Sequence, residues 1–389
     1  MSWHDAQTLT LYRSDTAPAY SHRADRTVLL LAFVLIAVGI GMIYSASAVM
    51  AQKRFGDSAY FLKRQLVWLA VGMVLLMIFA RTDLKTLRAW GVPFLLIGLV
   101  ALVAVLLPVI GVSVKGARRW LRLGALTVQP AELIKVGVLL YLAHYLAKKG
   151  ERIEDFRLGF VPPLLVIGVV LALVLVEPDL GTATVIGLVS FGLLFVGGAR
   201  LGHLSLIGLA ALPALYLLVA GVGYRRQRML SFLDPWSDPE GSGFQVIQSF
   251  LALGGGGPFG VGLGEGRQKL FFLPEPHTDF VLSMLGEELG FLGTSIVIIL
   301  LAVFVVKGFM IALAAEDPFG RYLALGVSFL VAFHTLINVG AISGLLPTKG
   351  LPLPFLSYGG SSLIVNMIGT GMLMSVSRNR PPHEAAACA

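Results

Sequence analysis

The chain has 389 residues, of which 56% are hydrophobic and 13% charged, with a mean hydropathy of +0.83 and a net charge of +8. The charged share is about half the roughly 25% of an ordinary soluble protein, which excludes a water-soluble globular domain. A single cysteine, Cys388, excludes an intrachain disulfide framework and a cysteine-built metal cluster.

The first 27 residues are polar, and an uncharged run then extends from Val28 to Val49. That is too long for the apolar region of a cleaved signal peptide and reads as an uncleaved signal anchor. Further apolar runs fall near 65–80, 91–110, 131–147, 158–177, 180–198, 201–222, 279–306, 322–344 and 359–376. At about 1.5 Å per residue each can cross roughly 30 Å of hydrocarbon, some only with tilt. The runs lack period-2 alternation, which excludes a β-barrel and predicts an all-α polytopic bundle of about ten transmembrane helices. An even count puts the tails, 1–27 and 378–389, on one side of the membrane domain 28–377.

With the tails inside, Lys and Arg divide fifteen to the inner segments and fourteen to the outer ones, with Lys135 within a span. Short loops normally settle orientation by their positive charge. A tie points to a second use for the outer cations, for which binding of an anionic ligand is the least costly reading and solvated loop charges with no ligand the alternative. The outer segments include Arg64, a cluster of Arg118, Arg119 and Trp120 suited to a diphosphate and a sugar or prenyl face unless Trp120 is only an interfacial anchor, and one large extracytoplasmic loop at about 224–278. Within that loop, Gly243 to Leu253 has apolar residues at helical spacing and reads as a surface helix. The glycines at 254–257 and 260–266 follow no strand, so they read as flexible turns rather than a phosphate cradle.

Several charges lie in or beside spans, where they are costly unless paired or lining a wet cavity. Glu132 and Lys135, three apart on one helical face, fit either a mutual salt bridge or direct substrate contact. Asp179 and Glu177 flank Pro178 at a break between two runs, where helix capping and cavity lining both fit. Asp279 stands where the large loop re-enters the membrane, either as a helix cap with Thr278 or as a partly desolvated base. Glu287 and Glu288 require a polar partner, read as a neighbouring helix. Lys349, isolated among prolines, reads as an anion ligand. Histidines 144, 203, 277 and 334 have no i, i+4 partner and predict no histidine-built metal site.

Six strings then carry a resemblance that covers roughly 28–377. They are Gly116-Ala-Arg-Arg-Trp120, Gln129-Pro-Ala-Glu132-Leu-Ile-Lys135, Glu177-Pro-Asp-Leu-Gly-Thr182, Phe232-Leu-Asp-Pro, Leu273-Pro-Glu-Pro-His-Thr-Asp-Phe280 with Gly286-Glu-Glu-Leu-Gly290, and Leu346 through Ser362. Together they resemble the SEDS family, and Pro347-Thr-Lys-Gly-Leu-Pro is closer to its division branch than to its elongation branch. The resemblance implies an inverting membrane glycosyltransferase that polymerises lipid II into peptidoglycan on the outer face during septal wall synthesis. It implies lipid II and nascent glycan as substrates, and a class B penicillin-binding protein and other division proteins as partners, with no nucleic acid. The family's proposed catalytic aspartate falls on Asp279.

A base to take a proton from a sugar hydroxyl and cations to receive a departing diphosphate are what that reaction needs. Asp279 is the candidate base. Arg64, Arg118, Trp120, Glu132, Lys135, Asp179, Gln248 and Lys349 are the candidate substrate-binding residues. A divalent cation, Mg2+ or Mn2+, held by carboxylates and diphosphate oxygens is the one cofactor this chemistry admits. Two other functions fit a ten-helix protein with buried charges. A flippase for the same precursor predicts a path to the inner face, and a division scaffold leaves Asp279 unexplained.

Overall fold

A computed structural model describes residues 25–379 apart from 115, 116, 125, 222, 271, 272, 274, 275 and 349. Cys388 and most of both tails therefore lie outside the described residues. The helices are α1 (Arg26–Phe55), α2 (Tyr60–Arg81), α3 (Leu84–Leu106), α4 (Pro130–Lys149), α5 (Val161–Val176), α6 (Leu180–Val196), α7 (Leu201–Ala220), α8 (Gly223–Leu233), α9 (Phe244–Gly255), α10 (Val281–Leu313), α11 (Pro318–Ile342) and α12 (Gly360–Arg378).

Among the described residues, eight helical segments are long and apolar enough to cross a membrane: α1 to α4, Phe156–Val176 ending in α5, and α10 to α12. The runs expected at 180–198 and 201–222 form α6, a shorter apolar helix of 17 residues, and α7, an apolar helix of 20 residues. The third run stops short of its expected end. Helix α3 closes at Leu106, and the chain turns into a three-stranded antiparallel sheet of β1 (Gly111–Val114), β2 (Ala117–Leu123) and β3 (Leu126–Val128). An all-helical reading missed these strands because they are only three to seven residues long and β2 sets Arg118 beside Arg119 instead of alternating polar and apolar side chains.

One end of the bundle gathers the start of α1, the α2–α3 and α10–α11 corners and the end of α12. There Asp25 N–H donates to Ser377 Oγ (2.9 Å), Ser375 Oγ donates to Thr82 O (2.6 Å), and Arg88 pairs with Asp317 (3.2 Å). The described ends of the chain thus meet on one side. Helices α12, α4 and α11 are the most enclosed of the spans. Close approach depends on small residues, as bilayer packing requires: a Cβ on Gly137 of α4 would sit 2.9 Å from the Leu95 backbone of α3.

Helix α10 is broken at Gly290, whose φ of 68° and ψ of −167° are accessible to glycine and to little else. A break inside a span frees backbone groups that lipid does not satisfy. The loop 257–262 satisfies them instead. Val261 and Gly262 N–H donate to the carbonyls of Glu287 and Glu288 (both 3.0 Å), and Phe291 and Leu292 N–H donate to Gly257 O and Pro258 O (2.8 and 3.1 Å). The glycine-rich stretch, expected as flexible turns, is therefore a docked segment with positive φ at Gly257, Gly260, Gly262 and Gly264.

Candidate functional site

The opposite end of the bundle collects most of the residues singled out from the sequence. Asp279 precedes α10 by two residues and is half-buried. The residue at the capping position of α10 is Phe280, directly after Asp279. The main-chain carbonyl of Asp279 accepts from Asn338 Nδ2 at 3.0 Å, and the same amide nitrogen donates to Leu351 O at 2.8 Å. Asn338 thereby ties the aspartate segment to the 348–352 loop from within α11.

That loop folds back on the carboxylate. Gly350, at φ +60°, brings bare backbone so near that a Cβ there would lie 3.1 Å from Asp279 Oδ2. Asp279, Asn338, Thr348 and Gly350, with Ile337 and Ile342, line a small cavity that is partly open to solvent. Asn338 Oδ1 is buried without a hydrogen-bond partner among the described residues. Lys349 itself lies outside the described residues, between two residues that line the cavity.

Glu132 and Lys135 enter beneath this loop. Lys135 Nζ lies 2.6 Å from Glu132 Oε1 and 2.9 Å from His334 Nε2, all three buried. His334 Nδ1 is 3.4 Å from Pro352 O, one turn of α11 before Asn338. Of the two readings of Glu132 and Lys135, the geometry matches the mutual salt bridge, extended by a histidine to the loop that covers Asp279. Paired this way, the charges satisfy the requirement that intramembrane ions find partners.

Asp179 is the cap of α6, accepting from Thr182 N and Thr182 Oγ1 (both 3.0 Å) and from Gln129 Nε2 (2.9 Å). Gln129 N–H donates to Ser361 Oγ at the start of α12 (2.9 Å), which joins this corner to the loop before α12. Glu177 is buried with both carboxylate oxygens lacking a hydrogen-bond partner among the described residues. Burial, aided by the neighbouring Asp179 charge and opposed by Arg119, pushes its carboxyl up to about 8.

The expected cluster of Arg118, Arg119 and Trp120 is split by strand alternation. Arg119 turns to the α5–α6 corner and donates to Glu177 O and Pro178 O (2.8 and 2.5 Å). Arg118 and Trp120 pair across from Ser113 and Val112, Arg118 exposed and Trp120 half-buried. Arg64 reaches the site through aromatic rings: it lies 4.9 Å over Tyr60 and hydrogen-bonds Tyr358. Burial raises the Tyr358 hydroxyl above its usual range against the pull of Arg64. Tyr358 N–H in turn donates to His277 O (2.9 Å), two residues from Asp279. Gln248 is half-buried on α9, whose next residue, Ser249, donates to Ile342 O at the cavity wall (2.8 Å).

Glu287 and Glu288 find a loop as well as a helix. Glu288 Oε1 accepts from Lys269 Nζ (2.8 Å) and from Ser45 Oγ of α1 (2.6 Å), and its Oε2 accepts from Gly264 N (3.1 Å). Glu287 accepts from the N–H groups of Arg267 and Gln268 (2.7 and 3.2 Å). Asn338, His334, Gln129 and Tyr358 were not picked out as site residues from the sequence. A signal existed for the first two, because a polar side chain inside a span is a functional candidate by default.

The model of the FtsW, RodA and SpoVE family, described as "Cell cycle protein", matches residues 25–381. A probable peptidoglycan glycosyltransferase FtsW of Geobacter sulfurreducens is 47% identical over 355 residues, covering 91% of this chain and 95% of that protein. Stage V sporulation protein E of Bacillus subtilis is 42% identical over 354 residues, covering 91% and 97%. Among solved structures, a chain from work on structural coordination of polymerization and crosslinking by a peptidoglycan synthase complex superposes with a TM-score of 0.75 at 34% identity, covering 92% of this chain and 99% of that one. Thermus thermophilus rod shape determining protein RodA superposes with a TM-score of 0.68 at 31% identity, covering 92% and 97%.

Proposed function

The chain belongs to the FtsW, RodA and SpoVE family, the SEDS family that its motifs resemble, and we propose that its peptidoglycan glycosyltransferase activity is carried by Asp279 above the cavity between α10, α11 and the 348–352 loop. The observation that carries this reading is the carboxylate held against the bare backbone of Gly350 at the mouth of that cavity. A half-buried carboxylate at a membrane boundary can take the proton of an incoming sugar hydroxyl as that oxygen attacks the anomeric carbon of the lipid-linked donor. The diphosphate leaves from the opposite face, so one carboxylate suffices and the configuration inverts. A retaining route would call for a second carboxylate as nucleophile.

Lipid II and the nascent glycan are the proposed substrates, with both handled on the outer face and at the division septum. Lys349 and Arg64 are proposed to stabilise the departing diphosphate, with Arg118, Trp120 and Gln248 at its approaches. Glu132, Lys135 and Asp179 are proposed to act by holding the 352 loop and the 129–182 corner in place. Among the described residues no group of three or more His, Cys, Asp or Glu converges as a metal site. A Mg2+ or Mn2+ ion, if used, would be shared between carboxylates and diphosphate oxygens, and no step above runs through it. A class B penicillin-binding protein is the proposed partner, supported by the likeness to a chain of a synthase complex.

The test is Asp279→Asn in the full chain, assayed for glycan polymer from lipid II. General-base loss costs about 10²–10⁴-fold in rate, with folding and membrane insertion unchanged. Polymerisation at the normal rate by a folded Asp279→Asn protein would end the assignment.

A further inference from the structure

An aromatic path runs from the candidate base to the protein surface. His277, two residues before Asp279, is buried and packs 4.4 Å from Phe61, and Tyr358 closes the triangle at 5.1 Å from Phe61. Phe61 meets Tyr60 edge-on at 5.3 Å, and Tyr60 stacks on Phe55 at 4.0 Å with the rings 10° from parallel. Phe55 is 43% exposed at the outer end of the path. Two guanidinium groups accompany it: Arg54 lies 5.5 Å over Phe55 and Arg64 lies 4.9 Å over Tyr60.

The local sequence builds this arrangement. Gly56 ends α1 in the left-handed conformation (φ 72°), which reverses the chain within four residues and folds the last ring of α1 onto the first of α2. Asp57 neutralises Lys63 at 2.7 Å, while the guanidinium groups of Arg54 and Arg64 lie along the rings. Aromatic residues at a membrane boundary often serve only as anchors, each ring meeting the headgroups by itself. Here the rings stack on one another and lead inward to a buried histidine beside Asp279.

We propose that Phe55, Tyr60 and Phe61, with His277, Tyr358 and the guanidinium groups of Arg54 and Arg64, form a binding track for the growing glycan strand between Asp279 and the surface. The inference rests on the polymerase reading and adds a site to it. The faces of Phe55 and Tyr60 are taken up by each other and by Arg54 and Arg64, so a pyranose would lay its C–H groups along the exposed ring edges, with its hydroxyls bonding to phenol and guanidinium groups. Carboxylates on the strand's peptide substituents complement the cations. A prenyl chain is the wrong occupant, because the path lies at the ends of spans among Arg, Lys and Asp rather than along a lipid-facing groove. A strand held there stays engaged between additions, so the track governs how long the product grows.

The test uses the full chain co-purified with its class B transpeptidase, comparing wild type with Phe55→Ala/Tyr60→Ala and with Phe55→Trp. Product length on gels and lipid II consumption are measured together. Binding of a soluble, uncrosslinked glycan fragment that carries stem peptides is measured separately. Mean product length should fall at least three-fold in the double variant, more than consumption falls, and fragment affinity should drop at least five-fold. Phe55→Trp should keep both. Unchanged length and affinity in a folded double variant would overturn the track and leave the rings as anchors. Equal loss in Phe55→Trp would also overturn it, as a packing effect. Wild type that binds the fragment through these rings yet makes no polymer would overturn the polymerase reading and leave the track standing.

Discussion

Two carboxylate sites sit at the start of one helix, and they are built in opposite ways. Asp279, just ahead of α10, is half-buried, faces a cavity and has a glycine backbone laid against it. Glu287 and Glu288, two turns on, are buried and accept hydrogen bonds from a lysine, a serine and loop N–H groups. Enclosure by donors fixes a carboxylate as a structural anion, since the desolvated charge is stable only in that one arrangement. A half-buried carboxylate that lines a cavity wall can be reached by a reacting hydroxyl. The difference separates the part of α10 that does chemistry from the part that holds the preceding loop in position for it.

Breaking the enclosed site should have the largest effect on stability. Lys269→Met leaves Glu288 buried without its cation and should cost about 3–5 kcal/mol, seen as a lower melting temperature in detergent. Lys269→Met combined with Glu288→Leu should recover most of that loss, whereas Asp279→Asn should barely move the melting temperature. Equal destabilisation by Asp279→Asn would erase the distinction between the two sites.

Glu177 extends the comparison, being as buried as Glu288 but lacking its partners. With its carboxyl pushed up to about 8 from 4.5, the folded protein binds a proton that the unfolded chain has released, so stability falls as pH rises from about 4.5 to 8 and is level above that. The fall should reach about 5 kcal/mol at about 1.4 kcal/mol per pKa unit, and Glu177→Gln should flatten it. A wild-type melting profile level across that range would show that Glu177 finds a partner in solution.

Gly290→Ala tests whether the helix break is what docks the loop. The left-handed conformation and a Cβ 2.3 Å from Gly260 N should cost about 1–3 kcal/mol, with faster proteolysis in 257–269. The smallest expected effect is on the open site: Asn338→Ala removes both ties between Asp279 and the 351 loop. Each hydrogen bond is worth about 0.5–1.5 kcal/mol, so kcat should fall about ten-fold with little change in stability. A change in KM alone would instead make Asn338 a substrate contact.

Much of this was legible in the chain itself, for reasons particular to each residue. The 20-residue apolar runs needed no tertiary context, because a bilayer imposes length and composition on any segment that crosses it. The spacing of Glu132 and Lys135 placed them on one helical face and offered a mutual salt bridge as one of two readings, which the structure then chose. Asp179 before Leu180 showed its capping role in the same local way. Arg118 and Arg119 were misjoined because a short strand sends neighbours to opposite faces, and nothing nearby in sequence marked the segment as a strand.

By itself, then, the sequence determined the membrane class, the helical bundle, the family resemblance and the candidate local pairs, all of which depend on segments or on residues within one turn. Only the tertiary structure decided the rest. It put Asn338 between Asp279 and Leu351, linked Lys135 to His334, docked the glycine loop into the break of α10, and stacked Phe55 and Tyr60 on a path to His277. Most of these contacts join residues tens to hundreds of positions apart, and even the Phe55–Tyr60 stack depends on the reversal at Gly56. Their geometry depends on how separate helices pack, which no local pattern of side chains specifies.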